Sequence, residues 1–276
     1  MVVIVATDQH LGYIRSNSRE FSDFLDILSK RTDDVTDLVL LGDFIDMWRR
    51  DVSGLFLEYN DILQKVLALK TKMNVYCVAG NHDYHLLNLT SDSNSFSKEY
   101  PLQFLPNLDL PKDNPKYLFR HGWEFDPAQH PAIMEILCYN LSDEEGKIRS
   151  DIWDVLTRNI KNDVVGEVKE ILDRLEGRDK YLSFILSPPN ERLASSNLGL
   201  VEHLACTSAK KQGQILIFGH THRPFVNADN NVVNAGSWVG DALIPNTYVE
   251  LDGNEIHLMQ YNNGKSTEIT AREKCP

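Results

Sequence analysis

The first 83 residues alternate between short apolar segments and longer amphipathic segments, and this alternation restricts the fold more than any other feature. The apolar segments, at 2–6, 38–41 and 75–78, have the length and composition of buried strands. Between them, 18–31 and 55–69 carry apolar residues at helical spacing. This order predicts an α/β fold in which parallel strands are joined by helical crossovers.

The pattern changes after a further short strand at 117–120. From about residue 127 to 211 the spacing is helical and no convincing strand is present, and a strand signal returns at 215–218. We therefore predict a core built from residues 1–126 and 212–262, interrupted by a helical cap insert at 127–211. The last helix of this cap is expected at about 196–211. Residues 263–276 are expected to form a polar tail, after two hairpins at about 224–234 and 247–260.

Residue types that bind metals follow each predicted core strand. The five segments are Asp8-Gln9-His10, Gly42-Asp43-Phe44-Ile45-Asp46, Gly80-Asn81-His82-Asp83, His121-Gly122 and Gly219-His220-Thr221-His222. In open α/β sheets the binding crevice lies at the carboxyl ends of the strands, so we expect the five segments to converge there. Each segment alone is compatible with an ordinary turn, cap or structural histidine. Their conjunction, in order and at strand ends, predicts a metal site.

The spacing and the donor types indicate which metals would fit. Residues i and i+2 of an extended segment point to the same side, so Asp8 and His10 could face one crevice, as could His220 and His222. The candidate ligands combine oxygen donors with imidazoles, which suits Mn, Fe or Zn better than Ca or Mg. The set is Asp8, His10, Asp43, Asn81, His121, His220 and His222. Seven ligands suit two ions, and two dications can clamp a phosphoryl group and generate a hydroxide between them.

In this order the motifs resemble those of the calcineurin-like metallophosphoesterase superfamily, over residues 8 to 222. The resemblance implies a four-layer α/β/β/α sandwich with a helical insert and a dinuclear metal site. It implies that Asp8, His10 and His222 hold one metal and that Asn81, His121 and His220 hold the other. Asp43 would bridge the two metals. His82, paired with Asp83, would act on the leaving group, with Asp46 in support.

Within the superfamily, segments 42–48 and 219–224 and the cap resemble the UDP-2,3-diacylglucosamine hydrolase branch. The chain differs from that branch at His82, where Arg is usual, at Trp123, where Asp is usual, and in a longer insert. A cyclic-nucleotide phosphodiesterase, a DNA nuclease and a non-enzymatic interaction scaffold on the same fold are the alternatives. The scaffold is disfavoured because no ligand of the motif set is missing.

The predicted function is hydrolysis of a phosphoester or phosphoanhydride bond of a small phosphorylated substrate, through a hydroxide that bridges two metals. The metals are expected to be manganese, with iron or zinc as alternatives. Candidate substrate contacts are Trp48, Arg49, Arg50 and Arg223, although an exposed basic pair is more often solvated surface. His82 and Asp83 are the candidate catalytic residues.

Composition adds limits on partners and location. The formal net charge of −12 disfavours binding to long nucleic acids. No apolar run is long enough to span a membrane, and no secretion signal is evident, so a cytoplasmic protein is expected. Four widely spaced cysteines argue against a disulfide framework. The sequence does not indicate an oligomeric state.

Overall fold

The structure is a computed structural model that describes residues 2–89, 101–126, 191–253 and 255–269, with the side chains of the last helix described from 198 to 209. It is a mixed α/β architecture with two mixed sheets, in agreement with the predicted class. The predicted helices of the cap between 127 and 190 lie outside the described residues.

The first sheet has seven strands. In spatial order they are β12 (Lys265–Glu268), β11 (Glu255–Asn262), β10 (Thr247–Asp252), β1 (Val2–Ala6), β2 (Val35–Leu41), β3 (Asn74–Val78) and β4 (Phe104–Leu105). The four strands from β1 to β4 are mutually parallel, and β10 to β12 form an antiparallel meander beside β1. The carboxyl ends of β1, β2 and β3 therefore lie at one edge, as the alternation predicted.

The second sheet has five strands. In spatial order they are β5 (Leu108–Leu110), β6 (Tyr117–Phe119), β7 (Ile215–Phe218), β9 (Val232–Asn234) and β8 (Phe225–Asn227). Strands β6, β7 and β9 are parallel, and the outer two strands pair antiparallel. The strands that precede His121 and Gly219 thus belong to a different sheet from the strands that precede the first three motifs.

Four α-helices are described, and short 3-10 helices occur at Tyr84–Leu89, Trp123–Phe125 and Ala228–Asn230. The α-helices are α1 (Ser18–Leu28), α2 (Val52–Glu58), α3 (Asn60–Lys70) and α4 (Glu191–Gln212). The single helix expected at 55–69 was wrong, because the backbone leaves the helical region at Tyr59 (φ −108°, ψ 16°) and separates α2 from α3. Helix α2 begins earlier than expected, where the Asp51 carboxylate accepts the backbone N–H of Gly54.

Three apolar clusters hold these layers together. Alternate residues of β1 show the arrangement: Ile4 packs with α1, α2 and α3, whereas Val5 packs with the second sheet. The outer face of the second sheet packs on α4, where Ala205 and Ala209 contact Phe218 among others. Strands buried on both faces account for the continuous apolar runs in the sequence.

Helix α4 differs from the expectation that it belongs to a cap. Its residues Ala205, Cys206 and Ala209 are buried in the cluster that covers the second sheet, so the described part of this helix packs as a layer of the core fold. The predicted boundary at residue 211 therefore lies at the end of a core helix. Residues 101–115, for which the sequence analysis predicts no strand, contain β4 and β5, and the predicted polar tail contributes β12.

Two further observations concern membrane-spanning helices and the cysteines. Among the described residues, no helix combines the length and apolarity needed to cross a membrane. Cys77 is free and buried, but Cys206 is disulfide-bonded, a bond that the wide cysteine spacing did not predict.

Candidate metal centre

The five predicted motifs meet where the ends of the two sheets face each other. The loops after β1 and β2 are joined by backbone hydrogen bonds from Asp8 to Gly42 and from His10 to Asp43 (3.0 and 2.8 Å). The second sheet contributes His121 and the loop that begins at Gly219. Convergence was predicted, but it occurs between two sheets rather than along the edge of one.

The side chains do not converge through an extended backbone, as the i and i+2 argument supposed. Asp8, His10, Asp43, His220 and His222 all have positive φ angles, from 47° to 64°. The left-handed conformation is uncommon for residues other than glycine and typically marks functional sites. Tight turns in these loops therefore orient the side chains toward one another. The alternation of side-chain directions along a strand does not account for their convergence.

Asp8, His10 and His222 form the first group of candidate ligands. One ligand atom from each lies within 4.8 Å of the others. His222 Nε2 is 3.1 Å from Asp8 Oδ1 and 3.2 Å from His10 Nε2. This is the same trio that the resemblance assigns to one metal.

Asp8, Asp43 and His121 form a second group with the same 4.8 Å limit. His121 Nε2 lies 3.3 Å from Asp43 Oδ2 and 3.2 Å from Asn81 Oδ1. The other imidazole nitrogen, Nδ1, is 3.0 Å from the carbonyl oxygen of Leu41, an accepting group that fixes the orientation of the ring. Asp8 belongs to both groups, and Asp43 Oδ2 is also 3.6 Å from His10 Nε2.

His220 is placed next to the second group but outside it. Its ring is 5.3 Å from that of His121, and its backbone N–H donates to Asp8 Oδ2 (2.9 Å). Its Nε2 lies 3.3 Å from Asp126 Oδ2. The assignment of His220 as a metal ligand thus stays a prediction. Sequence reasoning missed Asp126, which no motif singled out.

Asp46 is the carboxylate that holds the histidines in place. It is fully buried, and its two oxygens lie 3.0 Å from His10 Nδ1 and 2.9 Å from His82 Nδ1. Arg49 donates to the same carboxylate from Nη1 (2.5 Å). A third candidate group, of His10, Asp46 and His82, arises from these contacts. Asp46 thus contacts the rings of both His10 and His82, and its supporting role at a metal site stays a prediction.

The predicted pairing of His82 with Asp83 was wrong. The Asp83 carboxylate accepts backbone N–H groups of Gly80 (2.6 Å) and Phe44 (2.8 Å), so it ties the second and third motif loops together. His82 contacts Asp46 instead, and its ring lies 4.2 Å from that of Trp48. By accepting the N–H of Gly80, the Asp83 carboxylate stabilises the turn at 80–83, and by accepting the N–H of Phe44 it holds this turn against the second motif loop.

Burial and charge shift the pKa values of Asp46, His10 and His121 in opposite directions, whereas both raise the pKa of Asp83. Burial would raise the pKa of Asp46, but the charges and hydrogen bonds of His82 and His10 hold it well below its usual range. Burial would lower the pKa of His10 and His121, yet the surrounding carboxylates raise both to about 10. Burial, followed by the charge of Asp43, raises the pKa of Asp83 to about 7. The centre is therefore an anionic pocket that favours cations.

A second network supports the loop that carries His220 and His222. Thr221, between them, donates to the buried Glu202 of α4 (3.3 Å) and accepts from Asn234 (3.0 Å). Sequence reasoning missed Glu202, although a signal existed. It lies three and four residues before buried positions of α4, on the helix face that packs against the core.

The four candidate substrate contacts differ in position. Arg49 and Arg223 line a cavity of about 340 Å³ beside His10 and His222. Trp48 is buried under His82, and Arg50 forms ion pairs with Glu58 and Asp51. The geometry thus supports a substrate contact for the first two only. The other lining residues of the cavity are Tyr13, Thr221, Asp241, Ala242 and Leu243.

The donor set fits divalent metal ions. Carboxylate oxygens and imidazole nitrogens from separate loops lie within 4.8 Å of one another in each group, close enough to bind one ion together. Nearly all of these residues are buried. Buried carboxylates in such number require cationic compensation. Gly42 and Gly80 permit this packing, because a Cβ at either would overlap His121 or Asp43. The mixed O/N donors match first-row dications.

The two mixed sheets with a buried Asp/His centre at their ends define a metallophosphoesterase. A model of the calcineurin-like phosphoesterase family matches residues 1–224, and the chain belongs to this family. It is therefore a metal-dependent phosphoester hydrolase, and its phosphoester substrate is implied by the family. The comparison with curated proteins gives no match.

Several solved structures are similar to the chain at low sequence identity. The phosphoesterase Yfce from E. coli is 13% identical, with 99% of this chain and 100% of that chain covered and a TM-score of 0.43. A dimetal phosphatase from Danio rerio is 13% identical, with 99% of each chain covered and a TM-score of 0.41. GAP50, described as the anchor in the inner membrane complex of Plasmodium, is 14% identical, with coverages of 99% and 90% and a TM-score of 0.43.

Proposed function

We propose that the chain hydrolyses a phosphoester or phosphoanhydride bond of a small phosphorylated substrate, with two divalent metal ions held by the seven predicted ligands. The observation that carries this proposal is the convergence of Asp8, His10 and His222 beside Asp8, Asp43 and His121 in one buried centre. Two dications there would lower the pKa of a water and neutralise the phosphoryl oxygens. Manganese is the first choice, with iron or zinc as alternatives.

The residues of the centre have distinct proposed roles. Asp43 Oδ2 lies 3.3 Å from His121 Nε2 and 3.6 Å from His10 Nε2, and these distances support a role for Asp43 as the carboxylate that would bridge the two metals. His82 is held through Nδ1 by Asp46, and its Nε2 lies 3.9 Å from Asp43 Oδ2. Because Nδ1–H donates to Asp46, His82 could give a proton from Nε2 to the leaving oxygen only as the imidazolium, whose charge the Asp46 carboxylate would stabilise. Asp83 supports the loops and takes no part in the proton transfer.

Segments 42–48 and 219–224 resemble the UDP-2,3-diacylglucosamine hydrolase branch, so nucleoside diphosphate sugars are among the substrates to be tested. His82 and Trp123 differ from that branch, so cyclic nucleotides and other phosphodiesters are included among the substrates to be tested. A screen of phosphorylated metabolites with Mn²⁺ added, containing nucleoside diphosphate sugars and cyclic nucleotides, separates these classes.

The test of the chemistry is hydrolysis of 4-nitrophenyl phosphate and bis(4-nitrophenyl) phosphate. Wild type should hydrolyse at least one ester in a Mn²⁺-dependent manner, and Asp43→Asn should reduce the rate to that of the metal-free protein, because the proposed bridging ligand loses its charge. Asp37→Asn is the matched control, since Asp37 is also buried but bonds to Thr36 and Asn74. Full activity in Asp43→Asn would contradict the mechanism.

A further inference from the structure

The cavity beside the metal centre has room for more than the phosphoryl group under attack. Its volume of about 340 Å³ lies in the range of small-molecule sites, about 300–1,000 Å³. His10 and His222 form part of its wall and also belong to the first candidate metal group. A substrate bound at that metal would therefore extend directly into the cavity.

Arg49 forms one side of the cavity and is held in a fixed position. Its Nη1 donates to Asp46 (2.5 Å), and its guanidinium lies 4.6 Å from the centre of the Tyr13 ring. In the part of the chain that the structure describes, its Nε and Nη2 have no hydrogen-bond partner. Because Asp46 holds Nη1 in place, the other N–H groups of the guanidinium are already positioned to donate hydrogen bonds to an anion.

Arg223 lines the same cavity and is anchored by a different carboxylate. Its Nε lies 3.5 Å from Glu202 Oε1, and Glu202 is fully buried in α4. Over the described ranges, neither Nη group of Arg223 has a partner. Thr221 donates to the same oxygen of Glu202, which fixes the carboxylate in turn. The side chain of Arg223 keeps about a third of its surface exposed, at 32%.

The acidic residue of the cavity does not cancel these charges. Asp241 lies at the rim, where Arg15 pairs with it (3.2 Å) and the Tyr13 hydroxyl donates to it (3.1 Å). Its charge is therefore already compensated by groups outside the two anchored arginines. Among the charged side chains that the structure describes in this wall, Arg49 and Arg223 have N–H donors without a partner, and such donors favour an anionic ligand.

We infer that this cavity is a second anion subsite, in which Arg49 and Arg223 bind a second phosphate-type group of the substrate. This inference rests on the proposed function, because the first group is the phosphoryl under attack at the metals. The preferred substrate class then carries two neighbouring anionic groups, as a diphosphate does. Glu202 is a positioning residue that acts through Arg223.

The test compares binding of methylenediphosphonate, which has two such groups, with binding of methylphosphonate, which has one. Dissociation constants are measured by calorimetry on the full-length, Mn²⁺-loaded protein. Wild type should bind the diphosphonate more tightly. Arg223→Gln should reduce this preference about 10- to 100-fold, the loss expected for a hydrogen bond to a charged group.

Arg19→Gln is the matched control, because Arg19 is an exposed arginine of α1 that does not line the cavity. It should retain the wild-type preference. Chelation of Mn²⁺ by the diphosphonate would affect all variants equally, so the comparison between variants isolates the arginine. Thermal melting of each variant confirms that it is folded.

Glu202→Gln tests the positioning role. It should reduce the preference for the diphosphonate by less than Arg223→Gln does, and adding it to Arg223→Gln should cause no further loss, because both act through one guanidinium. Additive losses would assign Glu202 a structural role.

Two outcomes separate the failure of this inference from failure of the proposed function. Equal affinity of wild type for the two phosphonates, or an unchanged preference in Arg223→Gln, would overturn the subsite while hydrolysis of 4-nitrophenyl phosphate continued. Absence of both methylphosphonate binding and Mn²⁺-dependent hydrolysis in wild type would instead refute the proposed function, and the subsite with it.

Discussion

Replacement of Asp46 by Asn tests whether one buried carboxylate sets the orientation of the metal-binding histidines. In the wild type both carboxylate oxygens accept, one from His10 Nδ1 (3.0 Å) and one from His82 Nδ1 (2.9 Å). An amide of the same shape offers one accepting oxygen and one donating NH2 group. Whichever way the amide is turned, one histidine faces a donor.

The histidine that faces the NH2 group must move its proton to Nε2 or turn away. For His10 this is the nitrogen that lies 3.2 Å from His222 Nε2, in the first candidate metal group. Loss of such a supporting contact typically reduces metal affinity about 10- to 100-fold. That corresponds to about 1.4–2.8 kcal/mol. Arg49 also loses its charged partner, so we expect a value toward the upper end.

The assay is calorimetric titration of Mn²⁺ into metal-free Asp46→Asn, with Asp37→Asn as the control. Asp37 is likewise buried and accepts from Thr36 (2.5 Å) and Asn74 (3.0 Å), so it reports the general cost of changing a buried carboxylate. Wild-type metal affinity in Asp46→Asn, or a loss no greater than in Asp37→Asn, would refute the assigned role.

Three further predictions concern the site loops, the core and a sheet edge. Gly42→Ala should destabilise the fold by about 1–3 kcal/mol in urea unfolding and weaken Mn²⁺ binding, because Gly42 has a φ of 82° and a Cβ would overlap His121. Phe24→Ala should cost about 3–5 kcal/mol in the same assay, since its ring is 2% exposed within an aromatic cluster. The hydrogen bond to Glu268 raises the pKa of His257 in the folded protein. This ion pair therefore stabilises the fold fully at pH values below the pKa of His257 in the unfolded chain, and the stabilisation is lost as the pH rises through the pKa of the folded state. The Tm difference between wild type and His257→Gln should therefore be larger at about pH 5.5 than at about pH 8.5.

The spacing of apolar residues predicted the strands and helices that are regular over several residues. It failed for the elements whose formation depends on tertiary contacts. Val2–Ala6 and Ile215–Phe218 were predicted with the bounds that the structure shows. The break at Tyr59 and the short pair β4 and β5 were missed. The helical spacing continues across Tyr59, and strands of two and three residues form by pairing with neighbours rather than by their own pattern.

The positions of the site residues followed from the motifs, but their connections did not. A motif states which residue types occur at a strand end, and it contains no information about the distant partner of each carboxylate. His82 therefore was matched with its neighbour Asp83, whereas its Nδ1 contacts Asp46, 36 residues away. Glu202 and Asp126 reach the loop of His220 from other parts of the chain, so only the folded structure reveals them.

These connections change how the predicted cap can be tested. Segment 127–190 is preceded by Asp126, whose carboxylate is 3.3 Å from His220 Nε2, and it is followed by α4, which carries Glu202. Deletion of the whole predicted cap, 127–211, would remove Ala205 and Glu202 and thus both core packing and the ion-pair partner of Arg223. Replacement of 127–190 alone by a short Gly/Ser linker preserves both. If the segment selects substrates, this variant should lose activity on larger phosphorylated metabolites more than on 4-nitrophenyl phosphate. Equal losses on both would show that the segment is needed for the integrity of the core.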